Sequence, residues 1–101
     1  MAGTTAPDFL VHREGDSVGV AVRDLTPGTV RGGYLAAEGS VEVQLLDPVP
    51  LGHKLALVDI ADGADVVEYS VRVAHASQAI GVGRHVHVHN VRSARWQTSV
   101  A

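Results

Sequence analysis

Three histidines near the C-terminus alternate with valines in the stretch His85-Val86-His87-Val88-His89. Successive side chains of a β-strand point to opposite faces, so the pattern predicts one strand with imidazoles on one face and valines on the other. The β-branched valines are expected to anchor this strand to a core. Imidazoles two residues apart can bind one transition-metal ion when neutral, or a carboxylate when protonated.

The same alternation is also typical of the solvent-exposed face of an edge strand that binds nothing. Half of the six histidines lie in this one stretch, and for that reason it is the first candidate site. Within it, His85 is the least favoured because it lies nearest the turn expected at Gly83. We expect His12 and His75 to be structural or exposed.

Composition narrows the class of protein. With 101 residues the chain is one small domain, too short for a deep catalytic cleft of its own. A net charge of −3 provides no basic surface for nucleic acid, and the absence of cysteine excludes disulfides and thiolate chemistry. No apolar run approaches the ~20 residues of a membrane helix, and the N-terminus lacks signal-peptide features. We therefore expect a cytoplasmic protein that binds neither nucleic acid nor membrane.

Short runs of β-branched and apolar residues, separated by Gly, Pro and Asp turns, predict an all-β fold. The domain is expected over residues 9–92, between a lead-in (1–8) and a C-terminal tail (93–101). Its strands are predicted at 9–12, 18–22, 41–45, 55–60, 66–73 and the His-rich stretch. Residues 30–38 read as a loop with a short strand, 47–52 as an ordered loop, and 74–79 as a helical turn or loop.

A weak internal repeat supports this interpretation. Ile60-x-x-Gly63-x-x-Val66 and Ile80-x-x-Gly83-x-x-Val86 share one pattern, and Leu25-x-x-Gly28-x-Val30 is one residue shorter. Each places an apolar residue before a glycine turn and a β-branched residue after it. Several short strands that fold back on one another are expected, rather than a solenoid.

Five segments together resemble the SAF domain of the altronate/galactarate dehydratase family, from Phe9 to about Arg95. They are Phe9–Val20, Leu51-Gly52-His53-Lys54-Leu55-Ala56-Leu57, Asp59-Ile60-x-x-Gly63, Glu68-Tyr69, and His85-Val86-His87-Val88-His89-Asn90-Val91. The chain departs from the family pattern at Ser70 and Ala74, where glycines are usual.

The resemblance implies a small β-clip domain of the SAF type. It also implies a lyase that removes water from a sugar acid such as altronate or galactarate, or sulfite from sulfolactate. In two-component members this domain is a separate small subunit. The expected partners are therefore a large catalytic dehydratase subunit and a small-molecule acid substrate, and the chain alone is expected to be inactive.

The elimination needs a base, a cation that stabilises the developing enediolate, and an acid for the leaving group. We expect His53, Lys54 and His87 to be catalytic, and Lys54, His89 and Asn90 to bind the substrate. A divalent metal, with iron as the expected ion, is assigned to His87 and His89. All of these residues are expected to face a site that the large subunit completes.

Two other functions stay open: a non-catalytic ligand- or metal-binding SAF module, and a purely structural subunit. Several residues also have simpler interpretations. Gly52-His53-Lys54 is typical of a polar loop tip, Asp59 of a cap for the Asp62-Gly63 bend, and Asp16 of a hairpin turn. Trp96 could anchor an interface or pack on the domain's own core.

Overall fold

The computed structural model describes residues 6–35, 38–68 and 71–93. This part of the chain contains nine strands and no helix, which confirms the all-β prediction. The strands are β1 (Phe9–Val11), β2 (Val18–Ala21), β3 (Gly28–Tyr34), β4 (Ser40–Leu45), β5 (Lys54–Ala56), β6 (Asp65–Glu68), β7 (Val71–Ala76), β8 (His85–Val86) and β9 (Val91–Ser93).

The strands form two sheets. The larger has the order β4-β3-β1-β2-β5-β8 and the smaller the order β6-β7-β9. Strands β1 and β2 form the predicted hairpin, with Phe9 opposite Ala21. Its turn is closed as expected, since the Arg13 N–H donates to an Asp16 carboxylate oxygen 3.2 Å away. β1 pairs with β3 in parallel, whereas the other ladders are antiparallel.

Strand β3 is longer than the short strand predicted within a loop over residues 30–38. It is the longest described strand, and its two adjacent glycines are the reason that the sequence looked irregular there. The Phe9 ring lies directly against Gly32, where an added Cβ would overlap the ring. Gly19 on β2 is similarly close to the same ring. These glycines therefore make room for a buried aromatic side chain rather than breaking the strand.

Two apolar clusters form the core. The first lies within the larger sheet and contains Phe9, Val11, Ala21, Leu25, Val30, Val43, Leu45, Val49 and Leu55. The second lies where β5 and β8 meet the smaller sheet and contains Val18, Ala56, Ile60, Val66, Ala74, Ala76, Ile80 and Val86. Aliphatic side chains supply nearly all of this buried volume, in keeping with the low aromatic content of 4%.

Two further strand predictions are wrong in extent, and a third segment continues a strand where a helical turn or loop was predicted. The strand predicted over 55–60 ends at Ala56, and Val58 is half exposed rather than covered on both faces. The strand predicted over 66–73 is two strands, β6 and β7, which pair antiparallel with Glu68 opposite Val71. β7 then continues through Ala76, so the helical turn expected over 74–79 is absent from the described residues there.

The internal repeat is confirmed. Ile60 and Ile80 form a reciprocal backbone bridge, each N–H donating to the other carbonyl at 2.8 Å. Gly63 and Gly83 take nearly equal positive φ values of 83° and 87°, in the left-handed region that favours glycine. The two repeats therefore fold alike and meet at their isoleucines. This pairing brings β8, with its histidines, to the end of the larger sheet.

Candidate functional site

The backbone of the site is the short ladder between β5 and β8. Leu55 lies opposite His85, and Lys54 lies opposite Val86. His53 precedes this ladder, and its carbonyl accepts a hydrogen bond of 2.9 Å from the Ala21 N–H of β2. The ladder thus brings together two histidines that are 32 positions apart in the sequence.

The predicted His-rich strand is wrong beyond Val86, because residues 87–90 form a turn. Asn90 closes this turn. Its side-chain oxygen accepts the His87 N–H at 2.9 Å, and its side-chain N–H donates to the His85 carbonyl at 2.8 Å. Val86 is buried as expected, but Val88 is 72% exposed and anchors nothing in the described core.

Three imidazoles, those of His53, His85 and His87, stack in this region and are called the His trio below. His53 Nδ1 lies 2.8 Å from His85 Nε2. The ring centroids of His53 and His87 are 4.0 Å apart at an interplanar angle of 17°, and those of His85 and His87 are 5.6 Å apart at 10°. One ligand nitrogen from each residue lies within 4.8 Å of the other two.

The donor set of the His trio fits a divalent transition metal. Two nitrogens on one such ion, with bonds of about 2.0–2.1 Å, lie about 3 Å apart, close to the observed His53–His85 separation. Three imidazoles suit Zn, Cu, Fe or Ni. The sequence paired His87 with His89, whereas the geometry groups His87 with His53 and His85. His89 lies beside His85, with ring centroids 5.2 Å apart, and is exposed.

Burial and mutual repulsion lower the pKa values of two members of the His trio, His85 and His87. Burial lowers the pKa of His85 below 6.5, and the neighbouring His53, His89 and His87 lower it further. The pKa of His87 is also lowered, first by loss of solvent and then by the charges of His53, His89 and Lys54. Neutral imidazole is the form that binds metal, so these shifts favour ligation near neutral pH.

Asp47 holds the start of β8 in place. Its carboxylate accepts the His85 backbone N–H at 3.1 Å and an Arg84 guanidinium N–H at 3.0 Å. Burial raises the pKa of Asp47, but these hydrogen bonds and the Arg84 charge outweigh burial and leave the pKa below its usual value. Sequence reasoning missed Asp47, since no motif connects a loop residue with a strand 38 positions away.

Lys54 lies on the other face of the β5–β8 ladder. Its neighbour Leu55 packs in the first core cluster, whereas Ala56 and Val86 pack in the second, as alternation along a strand requires. Lys54 is therefore directed away from His53, although the two are adjacent in sequence. Its ammonium nitrogen lies 3.9 Å from an oxygen of Glu68.

Glu68 appeared in the sequence analysis only as part of the Glu68-Tyr69 motif and was given no role there. It is 9% exposed, and its other carboxylate oxygen lies 3.0 Å from His12 Nε2. His12 directly follows β1 and Lys54 lies on β5, both in the larger sheet, whereas Glu68 lies on β6 of the smaller sheet. The contacts among these three residues therefore link the two sheets. A glutamate at the end of an apolar strand is the only sequence signal for this contact, and it is not a specific one.

A groove of about 330 Å³ opens beside this ion pair. Most of its lining is aliphatic; the lining residues are Lys54, Val66, Glu68, Val73, Ala74, Val86, His87, Val88 and Val91. His87 thus belongs both to the His trio and to the wall of the groove. Of the predicted site residues, the structure gathers His53 and His87 in one cluster and places Lys54 in the groove.

The remaining predictions have simple outcomes. The Asp59 carboxylate accepts the Val82 N–H at 2.9 Å, so it caps the turn of the next repeat rather than the predicted Asp62-Gly63 bend. Trp96 lies outside the described residues. No helix among those residues has the length and hydropathy needed to cross a bilayer.

Comparison with known proteins identifies the protein family of this chain. The sequence model of the family described as altronate/galactarate dehydratase SAF domain matches residues 7–94 of this chain. The (2R)-sulfolactate sulfo-lyase subunit alpha of Chromohalobacter salexigens is 40% identical over 91 residues, which cover 88% of this chain and 97% of that subunit.

Two longer relatives are altronate dehydratases. The Escherichia coli protein is 43% identical over 81 residues, and the Bacillus subtilis protein is 35% identical over 83 residues. These alignments cover 77% and 82% of this chain but only 15% and 16% of the two relatives. The same domain is thus a whole subunit in one kind of lyase and a small part of another.

Proposed function

The chain belongs to the SAF domain family of altronate and galactarate dehydratases, and from this premise we propose that it is the small subunit of a two-component lyase. The reaction is elimination of water, or of sulfite, from a sugar acid or related hydroxy acid. The similarity to a complete sulfo-lyase subunit alpha supports the separate-subunit form. The similarity to part of two altronate dehydratases supports a larger catalytic partner.

The observation that carries this proposal is the His trio, in which one ligand nitrogen from each of three imidazoles lies within 4.8 Å of the other two. We assign to His53, His85 and His87 the binding of a divalent metal, with iron as the ion expected from the sequence. Such an ion would act as a Lewis acid that stabilises negative charge developing on the substrate's carboxylate. This assignment replaces the pair His87 and His89 by a set of three.

The other site residues orient this cluster. Asp47 fixes the His85 backbone, and Asn90 fixes the turn that carries His87. The Asn90 side chain is buried, and both its oxygen and its nitrogen form hydrogen bonds within this turn. We therefore assign Asn90 a positioning role rather than substrate binding. His89 is exposed beside His85 and remains our candidate for direct contact with the substrate.

A residue that binds a metal through its neutral nitrogen is a poor proton carrier, so the general base and general acid must come from elsewhere. The small size of the chain and its shallow surface leave these groups to the large subunit. We therefore propose that the chain alone does not turn over substrate. Its cytoplasmic location stays a prediction.

The test is a mixing experiment with altronate, galactarate and (2R)-sulfolactate as substrates. The chain, a large dehydratase subunit from the same genome, and their mixture are assayed for the keto product or for released sulfite. Activity is expected only in the mixture, and His85→Ala is expected to abolish it while the control His75→Ala does not. Turnover by the chain alone, or full activity of the His85→Ala mixture, contradicts the proposal.

A metal-binding module without catalysis is the second candidate. It is favoured by the fact that all three ligand residues of the His trio come from one chain. Stoichiometric metal binding by the chain, together with an inactive mixture for all three acids, would favour this function over the lyase.

A further inference from the structure

The groove beside Lys54 has the wrong lining for a sugar acid. Six of its lining residues are aliphatic: Val66, Val73, Ala74, Val86, Val88 and Val91. A sugar acid carries a hydroxyl on most of its carbons, and each hydroxyl buried without a partner costs about 1–3 kcal/mol. The groove therefore suits a hydrocarbon group better than a polyol.

Two of the polar residues that line the groove, Lys54 and Glu68, carry opposite charges and face each other. Glu68 lies 3.0 Å from His12 and 3.9 Å from Lys54, so the charge on its floor is compensated within the chain. An apolar occupant would leave this pair intact and shield it from water. A substrate carboxylate would instead place a second negative charge beside that of Glu68.

The rim of the groove exposes apolar side chains to solvent. Val88 is 72% exposed at the tip of the 87–90 turn, and Val73 is 37% exposed on β7. Neither exposure is needed by the turn or the ladder that carries the valine. Exposed apolar side chains around a concave apolar surface are typical of a protein interface.

We propose that this groove binds an apolar side chain of the large dehydratase subunit and so docks that subunit beside the His trio. The proposal rests on the proposed function, and it names the surface through which the partner binds. His87 lines both the groove and the cluster, so a partner seated here contacts the wall of the candidate metal site.

The longer relatives favour this occupant over a second copy of the chain. In the two altronate dehydratases about 85% of the sequence lies outside the aligned domain. The family match ends at residue 94, directly after β9, and Val91 of β9 lines the groove. A catalytic region that follows the domain in a fused relative would therefore begin next to this surface.

The test uses aspartate substitutions at exposed valines of the full chain. Val73→Asp and Val88→Asp place a carboxylate in the groove, whereas Val58→Asp, at a half-exposed valine outside the lining, is the matched control. Affinity for the large dehydratase subunit is measured by calorimetry. Both groove variants are expected to weaken binding by about tenfold or more, with little change for the control.

Companion measurements separate this proposal from the proposed function. The Zn²⁺ affinity of each variant tests the His trio directly, and Val73→Asp, on a strand that supplies no ligand of the trio, is expected to leave this affinity unchanged. Activity that returns at saturating large subunit supports a docking role. Parent-like affinity of both groove variants in an active mixture overturns the docking proposal and leaves the lyase assignment standing.

Sedimentation of the chain alone tests whether the groove binds a second copy of the chain instead. If the parent chain is a dimer that Val73→Asp and Val88→Asp dissociate, the groove binds a second copy and the proposal is wrong. If no complex forms between the parent chain and the large subunit, both the docking surface and the two-component assignment fail.

Discussion

His53 Nδ1 and His85 Nε2 lie 2.8 Å apart although 32 residues separate them in the chain. The contact exists because β5 and β8 pair antiparallel with Leu55 opposite His85, and His53, two residues before Leu55, lies on the same face of this ladder. At this distance one ring N–H donates a hydrogen bond to the other ring nitrogen, or both nitrogens face a shared ion. Two protonated rings could not approach so closely without repulsion.

The first prediction concerns metal affinity. His53→Ala and His85→Ala should each weaken Zn²⁺ or Fe²⁺ binding by about 100-fold or more, since losing even an outer partner of a ligand costs about 10–100-fold. His89→Ala should have a smaller effect. Calorimetric titration of each variant checks this, with His75→Ala as the control. If His89→Ala lost more metal affinity than His85→Ala, the metal ligands would instead be His87 and His89, as the sequence predicted.

The second prediction is a pH dependence of stability. The pKa values of His85 and His87 are lower in the folded chain than the ordinary 6.5, so near that pH the unfolded chain binds more protons. Their contribution is therefore complete above pH 6.5 and is lost as the pH falls below it toward the folded-state values. Urea unfolding from about pH 7.5 to about pH 5 should show this decline. The His85→Gln variant should show a shallower decline in stability. An equally steep decline in that variant would be evidence against assigning this pH dependence to His85.

The third prediction concerns the turn after β8. Asn90→Ala removes two side-chain hydrogen bonds and leaves the His87 N–H and the His85 carbonyl without them. The free energy of unfolding should fall by about 1–3 kcal/mol. Metal affinity should fall as well, because the turn orients His87. Gln78→Ala, at an exposed amide in the connection between β7 and β8, is the control. Unchanged metal affinity in a folded Asn90→Ala chain would exclude the positioning role.

The fourth prediction compares the two repeat glycines. Gly63 and Gly83 have similar positive φ, but a Cβ at Gly63 meets open space whereas one at Gly83 would overlap the Gln44 carbonyl. Gly63→Ala should cost only the left-handed backbone penalty of about 1–2 kcal/mol. Gly83→Ala should cost more, because β4 must also shift. Chemical denaturation measures both, and equal losses would mean that the close approach to Gln44 has no energetic weight.

The local pattern was sufficient for much of the architecture. Turn residues and β-branched runs predicted the β1–β2 hairpin, strand β4 and the repeat around Ile60 and Ile80, because these features depend on backbone preferences of a few adjacent residues. Gly32 shows where local reasoning fails. A glycine in a strand looks like a break until the Phe9 ring that occupies its place is known.

The candidate site also has features that local sequence predicts and features that depend on the tertiary structure. From the residues alone, the His-rich stretch emerged as the segment with chemistry, since imidazole is the group that binds metals near neutral pH without cysteine. His53 was added by the family resemblance. Only the tertiary structure decided that His85 joins His53, and that Lys54 turns to Glu68 on the opposite face. Side chains on neighbouring strands meet according to register, and register depends on pairing between distant segments that no single stretch of sequence contains.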